Sequence, residues 1–353
     1  MQENVELQAL NTFGLSARAR FFCVVDTLAA LQDALRFAHE KQLPVFILGG
    51  GSNILLRDNV PGLVLHMQIK GIHKLSEAEG SVRVEVSCGE NWHAFVTFCL
   101  AQGWHGLENL ALIPGSVGAA PIQNIGAYGV EAGALIESVT ALNVLTGEIE
   151  TIAAADCAFA YRDSVFKRQY KGSRIILRVV FLLHRSTKVN VSYASLAQAL
   201  AGTLAPQPAD VFAAVVAIRR SRLPDPAQLG NAGSFFKNPV IGISEYANLQ
   251  LHHADLPGHE SRDSAVRQVK VPAAWLIERA GWKGRRLGQA GVYEKQSLVL
   301  VNHGAARAEE IVALAHAIIR DVEQQFGILL EPEVQWVPGT QHSDFAMYLP
   351  QEL

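Results

Sequence analysis

Between Glu108 and Glu131 the chain runs 22 residues, NLALIPGSVGAAPIQNIGAYGV (109–130), without one charged side chain. Its length would suit a membrane span, but Pro114, Pro121, Gly115, Gly118, Gly126 and Gly129 break any continuous helix there. With Ser116, Gln123 and Asn124 among its polar groups, such a stretch is a poor filler for a core. It suits another purpose: glycines let backbone amides come close to a bulky anion. The expectation is a large phosphorylated ligand lying against it.

At 353 residues the chain calls for two or three domains, enough to hold a cofactor and a substrate at a junction. A composition 49% hydrophobic and 18% charged reads as globular, and a net charge of −3 offers no field for a polyanion. Nucleic acid is therefore not an expected partner, since Arg219, Arg220 and Arg222 alone make too small a patch. The opening MQENVELQAL is acidic where a signal peptide is basic, and no membrane segment is read elsewhere. Cys23, Cys88, Cys99 and Cys157 are scattered, without a CxxC pair or His clustering, so neither disulfides nor a metal site is expected. These features predict a reducing, cytoplasmic setting with most thiols buried.

Periodicity organises the rest. Residues 26–41 place Leu28, Leu31, Leu35 and Ala38 on one helical face with Asp26 as N-cap, followed by the strand VFIL (45–48). GGGSN (49–53) then leads straight into ILL (54–56), joining strand to strand. A Rossmann loop opens a helix instead, and Ile54 stands where its last glycine belongs. Alternation from Val82 predicts a strand, 91–102 a helix capped by Asn91 and closed by Gly103, and 138–152 and 174–183 further strands. Residues 209–220 read as a helix stopping before LPDP (223–226), the best domain boundary. A helix over 308–326 ends at Gly327, and ILLEPEVQWV reads as a last strand.

Several short motifs could carry chemistry. GGGSN and the charge-free segment together suggest two walls of N–H groups around one pyrophosphate, for which no lysine is needed. In YRDS (161–164), Arg162 is either a surface ion-pair partner or a fixed positive charge for a carboxylate and its enolate. GNAGSFFKNP (230–239) puts Ser234 on a turn permitted by Gly233, anchored by Phe235 and Phe236, with Lys237 and Asn238 as donors. It lacks the G-x-S-x-G of a hydrolase. In LEPEV (330–334), Glu331 and Glu333 would share one face of a strand, either exposed or, if one is buried near Arg162 and Ser234, as a general acid.

Taken in order, NTFG (11–14), GGGSN, GLENLALIPGSVGAAPIQNIGAYG (106–129), YRDS, GNAGSFFKNP and LEPEV resemble the UDP-N-acetylenolpyruvoylglucosamine reductases of peptidoglycan synthesis, the MurB family, over nearly the whole chain. The resemblance implies an α+β protein of three domains, two forming an FAD-binding unit of the PCMH or vanillyl-alcohol-oxidase type and one binding substrate. It places them at 1–71, 72–222 and 223–335, with 336–353 returning to the FAD-binding unit. It implies a monomer with non-covalent FAD, NADPH as co-substrate, and a UDP-sugar enolpyruvyl ether as acceptor of hydride at C3 and a proton at C2.

By motif match the resemblance makes Ser234 the proton donor, Arg162 the carboxylate and enolate partner, and Glu333 its assistant. It assigns FAD to Gly49, Gly50, Gly51, Ser52, Asn53, Gly115, Ser116, Gly118, Asn124, Gly126 and Arg219. The substrate falls to Tyr193, in a loop of the family's longer variety, and to Arg222, Lys237 and Asn238. Arg222 stands where the family often has lysine, a mild change for a phosphate ligand. Residues 240–270 match nothing that carries over and read as variable surface. Competing readings are a flavin-dependent alcohol oxidase of the same fold and a non-catalytic nucleotide-binding module.

Overall fold

The first sheet of this computed structural model, which describes residues 1–260 and 267–338, starts from β1 (Gln2–Glu6), β2 (Arg18–Val25) and β3 (Val45–Leu48). Beyond the short β4 (Ile54–Leu56), β5 (Val60–Met67) inserts between β2 and β3 and runs parallel to both, while β1 pairs antiparallel with β2. The intervening α1 (Leu28–Glu40) buries Leu31, Ala34 and Ala38 beneath this sheet. Its N-cap is Thr27 and not Asp26: Thr27 is the extended residue whose side-chain oxygen accepts the Ala30 amide.

The second sheet is antiparallel throughout. It is built from β6 (Ile72–Ala78), β7 (Ser81–Ser87), β10 (Ile136–Asn143), β11 (Ile149–Ala153) and β12 (Arg174–His184), in the order β11, β10, β12, β7, β6. A small hairpin, β8 (Gly126–Ala127) with β9 (Val130–Glu131), stands apart from it. Against the sheet packs α2 (Trp92–Ala101), capped by the Asn91 side chain, with Trp92 and Phe95 wedged on Phe181 at centroid distances of 5.9 and 5.1 Å. Each such ring contributes about 1.5–3 kcal/mol by leaving water. Beside them lie α3 (Ala194–Ala199) and α4 (Pro208–Arg222).

The charge-free segment corrects the sequence reading here. Leu110, Ala111, Val117 and Ala120 are at most 1% exposed and belong to this same core, so the segment does fill it. Burial accounts for the missing charges, because an unpaired ion there would be prohibitively desolvated.

The third part holds β13 (Gly230–Ser234), β14 (Val240–Gly242), α5 (Ile243–His252), β15 (His259–Glu260), β16 (Gln268–Lys270) and α6 (Ala273–Arg279). It continues with β17 (Arg286–Leu287), β18 (Ala290–Val292), β19 (Val299–Asn302) and α7 (Ala308–Phe326). Strands β13, β19, β18 and β17 form one antiparallel sheet, and β14, β16 and β15 another. Helix α7 buries Ile311, Leu314, Ala315, Ile318, Val322 and Phe326 and ends on Gly327 in left-handed backbone.

Two further expectations change. Residues 240–270 are not merely surface, since Ile241, Leu256 and Val269 enter the third core; positions 261–266 of this stretch lie outside the described residues. Nor is LEPEV a strand: only β20 (Gln335–Val337) is, and it pairs parallel with β4 of the first part. Of the expected returning segment 336–353, residues 339–353 lie outside the described residues. No helix among the described residues is long and apolar enough to cross a membrane.

Candidate active site

GGGSN and the charge-free segment meet backbone to backbone. A Cβ on Gly50 would stand 2.9 Å from Gly115 Cα, and one on Gly49 would stand 2.6 Å from Ser116 Oγ. Ser52 Oγ donates to Pro114 O at 3.1 Å, and Asn53 Nδ2 donates to Gln123 Oε1 at 2.9 Å. Gly118 is equally confined, its Cβ position lying 2.5 Å from Cys88 Cβ. These glycines are therefore required by contact of protein with protein, a reason the sequence reading did not include.

A ligand-facing role survives on a different observation. None of the backbone N–H groups of residues 49–53, nor those of Gly115 and Ser116, finds a protein acceptor among the described residues. Backbone donors left unpaired in a folded protein call for water or a ligand, and a run of them forms an anion-binding concavity. Val117 and Gly118 are different, because their amides are spent on Glu90 O and Cys88 O. Asn124 also departs from the expectation: only 2% exposed, its side chain bonds Glu131, Ala160 O and Gly133 N and holds the loop from inside.

Arg219, on the last turn of α4, is a further donor unpaired among the described residues. Its Nε is buried with no hydrogen-bond partner among the described residues, and burial pushes its pKa down, with Tyr128 opposing and Arg162 adding to the fall. A desolvated cation lacking a carboxylate fits an anionic cofactor better than the helix terminus alone. Next to it, Tyr128 in left-handed backbone (φ 50°) meets Tyr193 edge-on at 5.4 Å, and Arg219 and Arg222 both act on its phenol. Tyr193, half exposed, and Arg222, exposed at the end of α4, thus share one rim.

Arg162 occupies the centre. Its backbone is left-handed (φ 55°), its Nη2 donates to Gly126 O at 3.0 Å, and its Nε lies 2.8 Å from Glu333 Oε1. That last contact is an ion pair whose N–H is not aligned on the oxygen. Burial opposes the charge of Arg162, but Glu333 and Tyr161 outweigh it and raise the pKa. Glu333 also donates its amide to Phe235 O at 2.8 Å and accepts Asn53 Nδ2 on its carbonyl at 3.3 Å. One residue thereby ties GGGSN, YRDS and the strand of Ser234. Ser234 itself is exposed at the end of β13, after Gly233 at φ 69°.

Around Tyr161 the structure gathers cations. Lys237 pairs with the exposed Glu331, and Lys167 Nζ donates to Arg162 O at 3.0 Å, its pKa lowered by burial and then by Lys237. Lys270 Nζ sits 3.9 Å over the Tyr161 ring. Asn238 donates its amide to Tyr161 Oη at 3.4 Å, while its side-chain carbonyl accepts the Ala273 amide. Lys167, Lys270 and Tyr128 were missed by sequence reasoning. Of these, Tyr128 lies inside the charge-free motif and Lys167 close behind YRDS, whereas Lys270 comes from a stretch without one. Among the described residues no group of His, Cys, Asp and Glu could hold a metal.

A family model described as FAD binding domain matches residues 19–153, which take in both glycine loops. The fold and site thus define an FAD-binding protein, with residues 49–53, Gly115, Ser116 and Arg219 suited to an anionic cofactor. A second model, the C-terminal domain of UDP-N-acetylenolpyruvoylglucosamine reductase, matches residues 225–337. The reductase of that name from Chromobacterium violaceum is 49% identical over 94% of this chain and 97% of its own. The one from Amoebophilus asiaticus is 44% identical over 95% and 98%. The chain belongs to the UDP-N-acetylenolpyruvoylglucosamine reductase family, enzymes of peptidoglycan precursor synthesis. In fold it is also similar to the crystal structure of the Thermus caldophilus reductase, with a TM-score of 0.65 at 24% identity over 95% and 98% of the two chains.

Proposed function

We propose that this enzyme uses NADPH to reduce the enolpyruvyl ether of UDP-N-acetylglucosamine enolpyruvate to the lactyl ether, giving UDP-N-acetylmuramate. The observation that carries this reading is the position of Glu333, which holds Arg162 by charge and the Ser234 strand by its backbone. Bound FAD supplies hydride transfer, from NADPH to substrate C3. Arg162, fixed between Glu333 and Gly126 O, grips the substrate carboxylate and stabilises the negative charge that spreads onto it.

Ser234 then delivers its hydroxyl proton to C2. A hydroxyl is a feeble acid, so the step needs a strongly basic carbon and nearby stabilisation of the alkoxide, which falls to the Lys237 cation, while Glu333 assists by holding Arg162 in place. Tyr193, Arg222, Lys237 and Asn238 bind the UDP-sugar, Arg222 on a phosphate. Residues 49–53, Gly115, Ser116, Gly126 and Arg219 line the cofactor side, with Gly118 and Asn124 supporting from behind. Overall one NADPH and one proton are consumed and one C=C bond is saturated.

The test separates the half-reactions. Ser234→Ala should leave flavin reduction by NADPH fast and stall flavin reoxidation by the enolpyruvyl substrate. Equal loss in both would reduce Ser234 to a shaping residue. NADPH oxidation by the wild type that is indifferent to this substrate would argue for an oxidase instead.

A further inference from the structure

We infer that the NTFG segment (11–14) is a positioning strap that sets Ser234 against the first glycine loop. The inference rests on the reading of Ser234 given above. Thr12 is bonded on both sides: its N–H donates to Gly51 O at 3.0 Å, and its carbonyl accepts the Asn231 amide at 2.9 Å. One peptide unit to either side of Thr12 therefore spans from GGGSN to β13, the strand that ends in Ser234.

Both contacts are close enough to demand glycine. A Cβ on Gly51 would lie 1.9 Å from Leu10 O, and one on Gly230 would lie 2.3 Å from Phe13 O. The strap is thus pressed between a glycine of the cofactor loop and a glycine of the Ser234 strand. Asn11, 6% exposed, locks its shape by donating to Leu7 O and Leu15 O and accepting the Leu15 amide. Phe13 then leaves the N-terminal part altogether. It is fully buried in the third core, edge-on to Phe235 at 6.3 Å, and its carbonyl accepts Asn302 Nδ2 at 2.9 Å. Phe235 is the residue after Ser234, so the ring contact bears directly on the hydroxyl's position.

The cofactor loops have their own ties, Ser52 to Pro114 and Asn53 to Gln123, which do not involve the strap. Loosening the strap should accordingly displace Ser234 and spare the cofactor side. Proton delivery to carbon tolerates little displacement, a misplacement of about 1 Å costing on the order of a hundred-fold.

Two variants test this in the FAD-loaded enzyme. Asn302→Asp keeps the oxygen that accepts the Gly304 and Ala306 amides but loses the donor to Phe13 O. Phe13→Leu keeps an apolar side chain and removes the ring contact with Phe235. In each, FAD content and the rate of flavin reduction by NADPH should stay within about two-fold of wild type. Reoxidation by the enolpyruvyl substrate should slow by roughly ten- to a hundred-fold, with substrate affinity nearly unchanged. Equal slowing of both half-reactions, or loss of FAD in step with the slowing, would make the strap a structural anchor only and overturn the inference. A wild type whose flavin the substrate does not reoxidise would overturn the proposed function and the strap's role together.

Discussion

Arg162 Nε and Glu333 Oε1 lie 2.8 Å apart, joining YRDS to LEPEV in an ion pair whose side chains are only 19% and 10% exposed. Removing the carboxylate leaves a buried guanidinium without its counter-charge. Glu333→Gln should therefore lower the stability of the apo protein by about 1–3 kcal/mol in urea titration, and slow the substrate half-reaction more than the NADPH one. Unchanged stability would mean that water, not Glu333, satisfies Arg162. Arg162→Lys should injure the same half-reaction, because a point charge cannot reproduce a two-pronged grip on a carboxylate.

Gly50→Ala tests the contact between the two glycine loops. The new methyl would press on Gly115 backbone at 2.9 Å, which cannot yield as a flexible side chain can. A destabilisation of about 1–3 kcal/mol is expected, with weaker FAD retention measured by flavin absorbance after gel filtration. An unaltered flavin content would show that the loops can separate without cost to the cofactor.

Arg219→Met should move two quantities in opposite directions. Without cofactor, losing a buried cation that has no partner among the described residues should leave the melting temperature equal or higher; FAD binding should weaken by about ten-fold or more. A lower apo melting temperature with unchanged FAD affinity would remove Arg219 from the cofactor side.

The thiols give a pH-dependent prediction. Burial pushes the Cys88 thiol up to about 12, its own and the Gly89 amide and Lys70 opposing. Burial likewise takes Cys157 to about 12 and raises Cys99. Because the folded pKa exceeds the ordinary 9.0, the folded form holds the proton more tightly, and this stabilisation is complete below pH 9. It is lost as pH rises from there toward 12. At pH 8 the native protein should show at most one reactive thiol to a disulfide reagent, the half-buried Cys23, and four after denaturation. Rapid labelling of two or more native thiols would contradict the burial.

Local features were legible because they depend on near neighbours. The apolar spacing of 308–326 predicts α7 residue for residue, since one face of that helix had to be covered. VFIL, GGGSN and ILL read correctly as strand, loop and strand, and so excluded a Rossmann loop. Where several residues competed for one local role, spacing was insufficient: Asp26 and Thr27 can each cap a helix, and only the backbone angle chose Thr27.

By itself, the sequence determined the helices α1, α2, α4 and α7, the strands β3, β4, β7 and β12, the glycine loops and, through the order of its motifs, the family. Tertiary structure alone decided which distant groups meet: Glu333 with Arg162, Gly50 with Gly115, Thr12 with both Gly51 and Asn231, and Lys270 over Tyr161. It also decided that the charge-free segment both fills a core and borders the site. Periodicity records which face of an element avoids water, whereas the choice between packing partners is made by non-local burial and charge pairing, which leave no period in the chain.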